Sequence, residues 1–138
     1  GDAAVSAFTT TVSRLRKLIG EHAIIVKGGR MSLNERCCWV DVRALERQLD
    51  LTANPDENNA RDCAEKLLSL YRGAFLSDED GEWIQPRRRL REKFFRRFTQ
   101  CINVLRAAKK NGEAARLLER AMDTDADIGH LFKQSFPV

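Results

Sequence analysis

Residues 86–108 read PRRRLREKFFRRFTQCINVLRAA, and this segment indicates the kind of fold that the chain adopts. Its apolar residues recur at steps of three and four, the spacing at which side chains share one face of an α-helix. At 100° per residue they occupy an arc of about 140°: Leu90, Phe94, Phe95, Phe98, Cys101, Ile102, Leu105 and Ala108. Pro86 suits the first helical turn, where a missing N–H is tolerated. The stretch therefore predicts a long helix with an apolar core face and a basic far side that carries Arg89, Lys93 and Arg96.

Shorter helices are predicted on both sides of this segment. Downstream, Asn111-Gly112 predicts a turn that leads into a helix ending near Asp123, and residues 128–136 predict one more short helix. Upstream, apolar residues at helical spacing predict a helix over residues 56–71, and Asp41 is a good N-cap for another. The residues expected to face inward on these helices are Val42, Leu45, Leu49, Ala60, Cys63, Ala64, Leu67, Leu68, Tyr71, Ala114, Leu117, Leu118 and Ala121.

The first forty residues combine a helix with a predicted β-hairpin. From Asp2 to Ile19 the apolar residues keep helical register, and Gly20 can cap the helix end. The opposite face of this helix carries hydroxyls and cations, among them Thr10, Ser13, Arg14 and Lys17. Residues 24–27 and 30–33 are β-rich and are separated by Gly28-Gly29, which supplies the positive φ angles of a tight hairpin turn. Residues 37–40 predict a further extended stretch.

The order of these motifs resembles a known family. The run RLRKLIG at residues 14–20, the Gly-Gly hairpin, Trp39-Val40-Asp41 and the next helix are similar to the end of a winged-helix DNA-binding domain joined to a bacterial transcriptional activation domain. This is the layout of SARP-type regulators (Streptomyces antibiotic regulatory proteins) and of related response regulators. The resemblance continues through LYRGAFL at residues 70–76, the acidic loop at residues 77–81 and Trp83.

The resemblance implies a mainly α fold of tetratricopeptide-like helical hairpins, with a small β-hairpin near the N-terminus as a winged-helix remnant. Residues 1–40 would be the C-terminal part of the DNA-binding domain, and residues 41–138 the helical-repeat activation domain. Two features depart from the family pattern. The chain starts at about the recognition helix, so we expect a fragment with an incomplete DNA-binding head, and Ala126 stands where tetratricopeptide units usually have proline.

The resemblance also implies double-stranded DNA as a partner of the intact parent protein. A winged-helix recognition helix lies in the major groove, where Arg14 and Lys17 would donate hydrogen bonds to guanine or phosphate. Thr10 and Ser13 would reach base edges or phosphates from the same face. The alternative for these four residues is an ordinary solvated helix face.

Two more basic surfaces are candidate binding sites. Lys27 and Arg30 at the hairpin tip would contact the phosphate backbone or the minor groove, although such cations also protect strand edges. Arg89, Lys93 and Arg96 are candidates for an acidic protein surface, with a solvated helix face as the alternative. The protein partners implied are RNA polymerase, other regulator domains or a second protomer. The alternative function is a tetratricopeptide-like adaptor that binds protein without DNA.

Composition and charge narrow the classes further. The chain has 138 residues, of which 43% are hydrophobic and 32% charged, the balance of a globular domain. It has no apolar run long enough to span a bilayer, so we expect a cytoplasmic protein without a membrane partner. The net charge of +4 divides into +3 for residues 1–36, −6 for residues 37–82 and +7 for residues 83–138. Basic flanks around an acidic middle would attract a polyanion to some faces and repel it from others.

Catalysis, metals and cofactors have little support in the sequence. Nucleophilic chemistry needs a histidine base beside the nucleophile, and the two histidines, His22 and His130, lie at a strand start and near the chain end. The acidic cluster at residues 78–80 lacks the ligand spacing of a calcium loop, and the cysteines lack the spacing of a zinc site. We therefore predict no enzyme, no metal site and no cofactor. The cysteines are expected to be reduced and mainly buried, with Cys37 or Cys38 more exposed.

Overall fold

A computed structural model describes the backbone of residues 1–73, 81 and 84–135. Within these ranges the chain forms six helices and one two-stranded antiparallel sheet. In chain order they are α1 (Asp2–Ile19), β1 (Ile24–Lys27), β2 (Arg30–Leu33), α2 (Asp41–Leu51), α3 (Ala60–Leu70), α4 (Ile84–Ala107), α5 (Asn111–Thr124) and α6 (Ala126–Ser135). The prediction of a mainly α fold with a small β-hairpin near the N-terminus is confirmed. The chain divides into two compact units, Gly1–Val40 and Asp41–Val138.

The first unit contains α1 and the hairpin, with the predicted bounds. Gly28 and Gly29 both have positive φ, 58° and 72°, and they join β1 to β2 with Lys27 opposite Arg30 as the last pair of the ladder. Residues 37–40 are not a strand, which corrects the prediction of an extended stretch there. The backbone N–H groups of Cys37 and Cys38 both donate to the carbonyl of Asn34, at 3.0 and 2.8 Å. A turn therefore uses the donors that a strand would need.

The second unit packs α2 to α6 around one apolar core. The rings of Tyr71 and Phe94 stack with centroids 3.9 Å apart, and those of Phe94 and Phe98 with centroids 5.7 Å apart. The predicted inward residues of the shorter helices are all buried or partly buried in this core, as are seven of the eight apolar residues predicted for the long helix. The eighth, Ala108, is partly buried but follows the last residue of α4 and is not part of this core. Removing these side chains from water is the main favourable term for folding the unit.

Two predicted boundaries are wrong, each because of local hydrogen bonding. α3 begins at Ala60 rather than near Asp56, since the carboxylate of Asp56 accepts the N–H groups of Asn58 and Asn59, both at 2.9 Å, in a turn before the helix. Asn111 and Gly112 are the first two residues of α5 and do not form the turn before it. Lys109 makes that turn with φ of 60°, and the Lys110 N–H donates to the Leu105 carbonyl at 2.9 Å.

Two further predictions concern the loop before α4 and the end of the chain. The short C-terminal helix is present, but it starts at Ala126 rather than at Ile128. The backbone N–H of Asp127 donates to the carboxylate of Asp125 at 3.1 Å, which caps the start of this helix earlier than its apolar pattern indicates. The acidic residues 78–80 and Trp83 lie outside the described residues.

Candidate nucleic-acid interface and partner surface

The polar face of α1 is open to solvent. Thr10, Ser13, Arg14 and Lys17 are all exposed. The neighbouring hydroxyl of Thr9 donates back to the carbonyl of Val5 at 2.9 Å, whereas Thr10, Arg14 and Lys17 make no such side-chain bond within the described residues. Their polar atoms are therefore available to a ligand.

Two of the four predicted α1 residues border a groove. Val12 is buried, and the guanidinium of Arg16 donates to the Ile24 carbonyl of β1 at 3.0 Å, so α1 lies against the first strand. An open groove of about 470 Å³ runs beside this contact, and Ser13 and Lys17 are among its lining residues. Thr10 and Arg14 are not among the residues that line the groove. Ser13 and Lys17 thus border the groove, whereas Thr10 and Arg14 lie on the same exposed helix face outside the groove.

The groove beside α1 is open to solvent, and so are other apolar residues of this helix. Phe8, Val12 and Val26 give the groove an apolar floor. Val5 is 65% exposed and Phe8 is 42% exposed, although both are among the apolar residues of α1 that keep helical register. Burying a large apolar side chain is worth about 1.5–3 kcal/mol, so this surface favours an apolar neighbour.

The hairpin tip holds two cations close together. Lys27 and Arg30 pair directly across the ladder and both are exposed. Residues directly opposite in an antiparallel ladder have Cβ atoms about 4.5–5.5 Å apart, and like charges there are destabilising. The tip therefore favours an anion that would relieve this repulsion.

The basic stripe on α4 is only partly free. Arg89 and Arg96 are exposed, and they flank a shallow depression of about 300 Å³ that Glu92 and Lys93 also line. The ammonium of Lys93 forms an ion pair with the carboxylate of Asp50 on α2 at 2.6 Å. Lys93 is therefore already bound to a carboxylate, and the charge open to a partner is mainly that of the two arginines.

A polar cluster that the sequence pattern does not predict joins the end of α3, α4 and the start of α6. The Tyr71 hydroxyl donates to Asp125 Oδ2 at 2.7 Å. Arg91 donates to both oxygens of Asp125, at 3.0 and 2.8 Å, and to Asp127 Oδ2 at 2.9 Å. A tyrosine assigned to a buried face signals that its hydroxyl needs a partner, but the pattern does not say which residue supplies it.

The cluster shifts the pKa of each of its main members. Burial would raise the pKa of Asp125, but hydrogen bonds from Tyr71 and Arg91 and the charge of Arg91 outweigh burial, so the pKa is lowered. Burial and the hydrogen bond to Asp125 raise the pKa of Tyr71. Burial would lower the pKa of Arg91, but its bonds to Asp125 and Asp127 raise it. The cluster thus holds a fixed charge pair and is a structural feature of the helical unit.

The described residues provide neither a metal site nor a membrane span. In the parts of the chain that the structure describes, no three His, Cys, Asp or Glu side chains come together as metal ligands. Among the same residues no helix is both long and apolar enough to cross a membrane. Cys37 is exposed and Cys38 partly buried, which confirms that this pair includes an exposed thiol.

Comparison with known proteins identifies the class of the helical unit. A family model described as the bacterial transcriptional activator domain matches residues 40–126. Because the match covers more than half of the chain, the chain belongs to the bacterial transcriptional activator domain family. This confirms the resemblance read from the motif order. The family is a transcription-activation domain and not a family of enzymes. No curated protein and no solved structure matches the chain.

Proposed function

We propose that the protein carrying this sequence is a DNA-binding transcriptional regulator. In this proposal α1 is the recognition helix, the hairpin is the wing, and residues 1–40 are the C-terminal part of a winged-helix domain. The observation that carries the proposal is the junction at residue 40, where the family match starts and the unit with the basic helix and hairpin ends. Residues 41–138 then form the helical-repeat activation domain.

The charges of the first unit support contact with DNA. Arg14 and Lys17 are exposed cations on a helix face that also offers the hydroxyls of Thr10 and Ser13. Such side chains can donate to guanine, to phosphate or to other base edges in a major groove. At the hairpin tip, a phosphate beside Lys27 and Arg30 would relieve the repulsion between them.

The helical unit would contact proteins. The exposed Arg89 and Arg96, with Lys93 between them, form a surface for an acidic partner. RNA polymerase, another domain of the regulator or a second protomer are the candidate partners. The mechanism is positional, since the basic head would hold a promoter while the helical unit places a partner beside it. A cytoplasmic location is part of this proposal.

The test is binding of duplex DNA to the protein as its gene encodes it and to the 138-residue chain, by fluorescence anisotropy across salt concentrations. With about four phosphate contacts, the binding constant should fall by roughly 3.6 decades for each tenfold rise in salt. Arg14→Ala/Lys17→Ala should abolish this binding. The matched control, Lys66→Ala/Arg116→Ala, removes two exposed charges from the helical unit and should leave binding unchanged.

The alternative function is an adaptor that binds protein alone. It is favoured by the apolar floor of the groove and by the exposure of Val5 and Phe8, which suit a protein neighbour. An apolar complex should respond little to salt. If the gene-encoded protein does not bind DNA even at low salt, the recognition-helix assignment is wrong and the adaptor becomes the better proposal.

A further inference from the structure

The sulfur of Met122 on α5 packs directly against the backbone of α6. A Cβ atom added at Gly129 would lie 3.3 Å from Sδ of Met122 and 3.5 Å from its Cγ. A contact of 3.3 Å is shorter than the ordinary separation of non-bonded heavy atoms. The side chain of Met122 therefore occupies the space that any larger residue at position 129 would need.

The backbone of α6 does not itself require glycine at this position. Gly129 lies inside the helix, where glycine is a poorer helix former than alanine. The preceding residue, Ile128, is fully buried and anchors α6 in the core of the helical unit. The contact with Met122 explains the glycine, because a residue without a side chain lets α5 and α6 approach closely beside this anchor.

Met122 is also open to solvent. The residue is 41% exposed, so a small oxidant can reach it while the helical unit stays folded. A hydroperoxide converts a methionine thioether into the sulfoxide, which is larger and polar. The new S–O bond would have to fit beside Gly129, where there is no free space for a methyl carbon. Sulfoxide formation therefore opposes the close contact between α5 and α6.

We propose that Met122 is an oxidation-sensitive site, and that its conversion to the sulfoxide loosens α6 from the helical unit. A lone pair of Sδ attacks the hydroxyl oxygen of the hydroperoxide, so that the S–O bond forms while the O–O bond breaks. The hydroxyl proton passes to the leaving oxygen, which departs as an alcohol or, from hydrogen peroxide, as water. The sulfur loses two electrons and the peroxide gains them.

The experiment compares the two methionines of the full chain. The folded protein is treated with hydrogen peroxide and then with dithiothreitol, which reverses disulfides and sulfenic acids of cysteine but leaves methionine sulfoxide. Mass spectrometry should show one added oxygen at Met122. Amide hydrogen exchange in α6 should become at least about threefold faster, and the helical unit should melt about 4 °C lower or more.

Matched leucine variants separate Met122 from the other oxidisable groups. Met122→Leu nearly conserves the side-chain volume and keeps all four cysteines, so peroxide should leave its α6 exchange and its melting temperature unchanged. Met31→Leu removes the other methionine, which is 49% exposed on β2, and it should respond like the wild type. Methionine sulfoxide reductases that act on both sulfoxide epimers should restore slow exchange in the oxidised wild type.

Three results would overturn the proposal. If Met31 is oxidised while Met122 stays intact, the contact with Gly129 shields the sulfur from oxidants. If Met122 becomes the sulfoxide and exchange in α6 is unchanged, the contact does not hold the helix. If Met122→Leu responds to peroxide as strongly as the wild type, another group is responsible. All three readouts come from the helical unit, so none depends on DNA binding.

Discussion

Tyr71 donates its phenolic hydrogen to Asp125, a residue 54 positions further along the chain, with 2.7 Å between the two oxygens. The same carboxylate accepts two hydrogen bonds from Arg91 on α4. The end of α3, the first half of α4 and the start of α6 are therefore joined at one point. The side chain of Asp125 is only 8% exposed, so solvent screens these bonds little.

Removal of the Tyr71 hydroxyl should destabilise the helical unit moderately. In Tyr71→Phe the ring can still stack on Phe94, but the bond to the Asp125 carboxylate is lost. Hydrogen bonds to charged groups are worth about 1.5–3 kcal/mol, and Arg91 still satisfies Asp125, so a loss of about 1.5 kcal/mol is expected. Urea unfolding followed by circular dichroism measures it. A loss below about 0.5 kcal/mol would mean that the hydroxyl bond does not support the fold.

Removal of the carboxylate should cost more. Asp125→Ala leaves Arg91, whose side chain is 26% exposed, without its bidentate partner, and it also leaves the Tyr71 hydroxyl unpaired. Breaking a largely buried ion pair costs about 3 kcal/mol. The matched control is Asp127→Ala, since the Asp127 side chain also pairs with Arg91 but is 70% exposed. The control should lose less than about 1 kcal/mol in the same urea experiment, and equal losses would contradict the importance of burial.

The lowered pKa of Asp125 predicts a particular dependence of stability on pH. Because the folded state holds the pKa below its unfolded value, ionised Asp125 stabilises the fold above the ordinary carboxyl pKa of about 3.9. This contribution is lost as the pH falls through the lower pKa of the folded state. The free energy of unfolding should therefore fall more steeply below about pH 4 in the wild type than in Asp125→Asn. Parallel pH slopes for the two proteins would argue against the ionised pair.

A reversal of charge at the hairpin tip should have opposite effects on the stability of the hairpin and on DNA binding. Lys27→Glu would place a carboxylate opposite Arg30, replacing a repulsive cross-strand pair with an attractive one. Such a pair contributes about 0.2–1 kcal/mol, so the hairpin should gain stability by that order, as measured by thermal unfolding. Binding of duplex DNA at low salt should weaken at the same time.

The neutral variant Lys27→Gln is the matched control for this change. It should have an intermediate stability and a salt dependence reduced by about 0.9 decades per tenfold change in salt, the loss of one phosphate contact. If Lys27→Glu binds DNA as tightly as the wild type, the hairpin is not the wing in contact with DNA.

Much of the local structure could be predicted from the sequence, and the errors have local causes. The periodicity of α1 and the Gly28-Gly29 turn predicted both elements with the observed bounds. The missed boundaries were at Asp56 and Lys109, where a side-chain turn and a positive φ override the apolar pattern. The candidate DNA-binding residues remain predictions, and their exposure to solvent fits the proposed role. Among the candidate protein-binding residues, the ion pair formed by Lys93 was not predicted.

The helices, the hairpin and the residues of the core could be predicted from the amino-acid pattern alone, because periodicity and turn chemistry depend on residues close together in the chain. The sequence also carried the motif order by which the family was predicted. The partners of polar groups that are distant in sequence depend on helix packing: Tyr71 pairs with Asp125, and Lys93 with Asp50. These side-chain pairs depend on how α2, α3, α4 and α6 pack together. The apolar periodicity of a helix shows which of its faces is buried, but it does not show which residues of a second helix that face will contact.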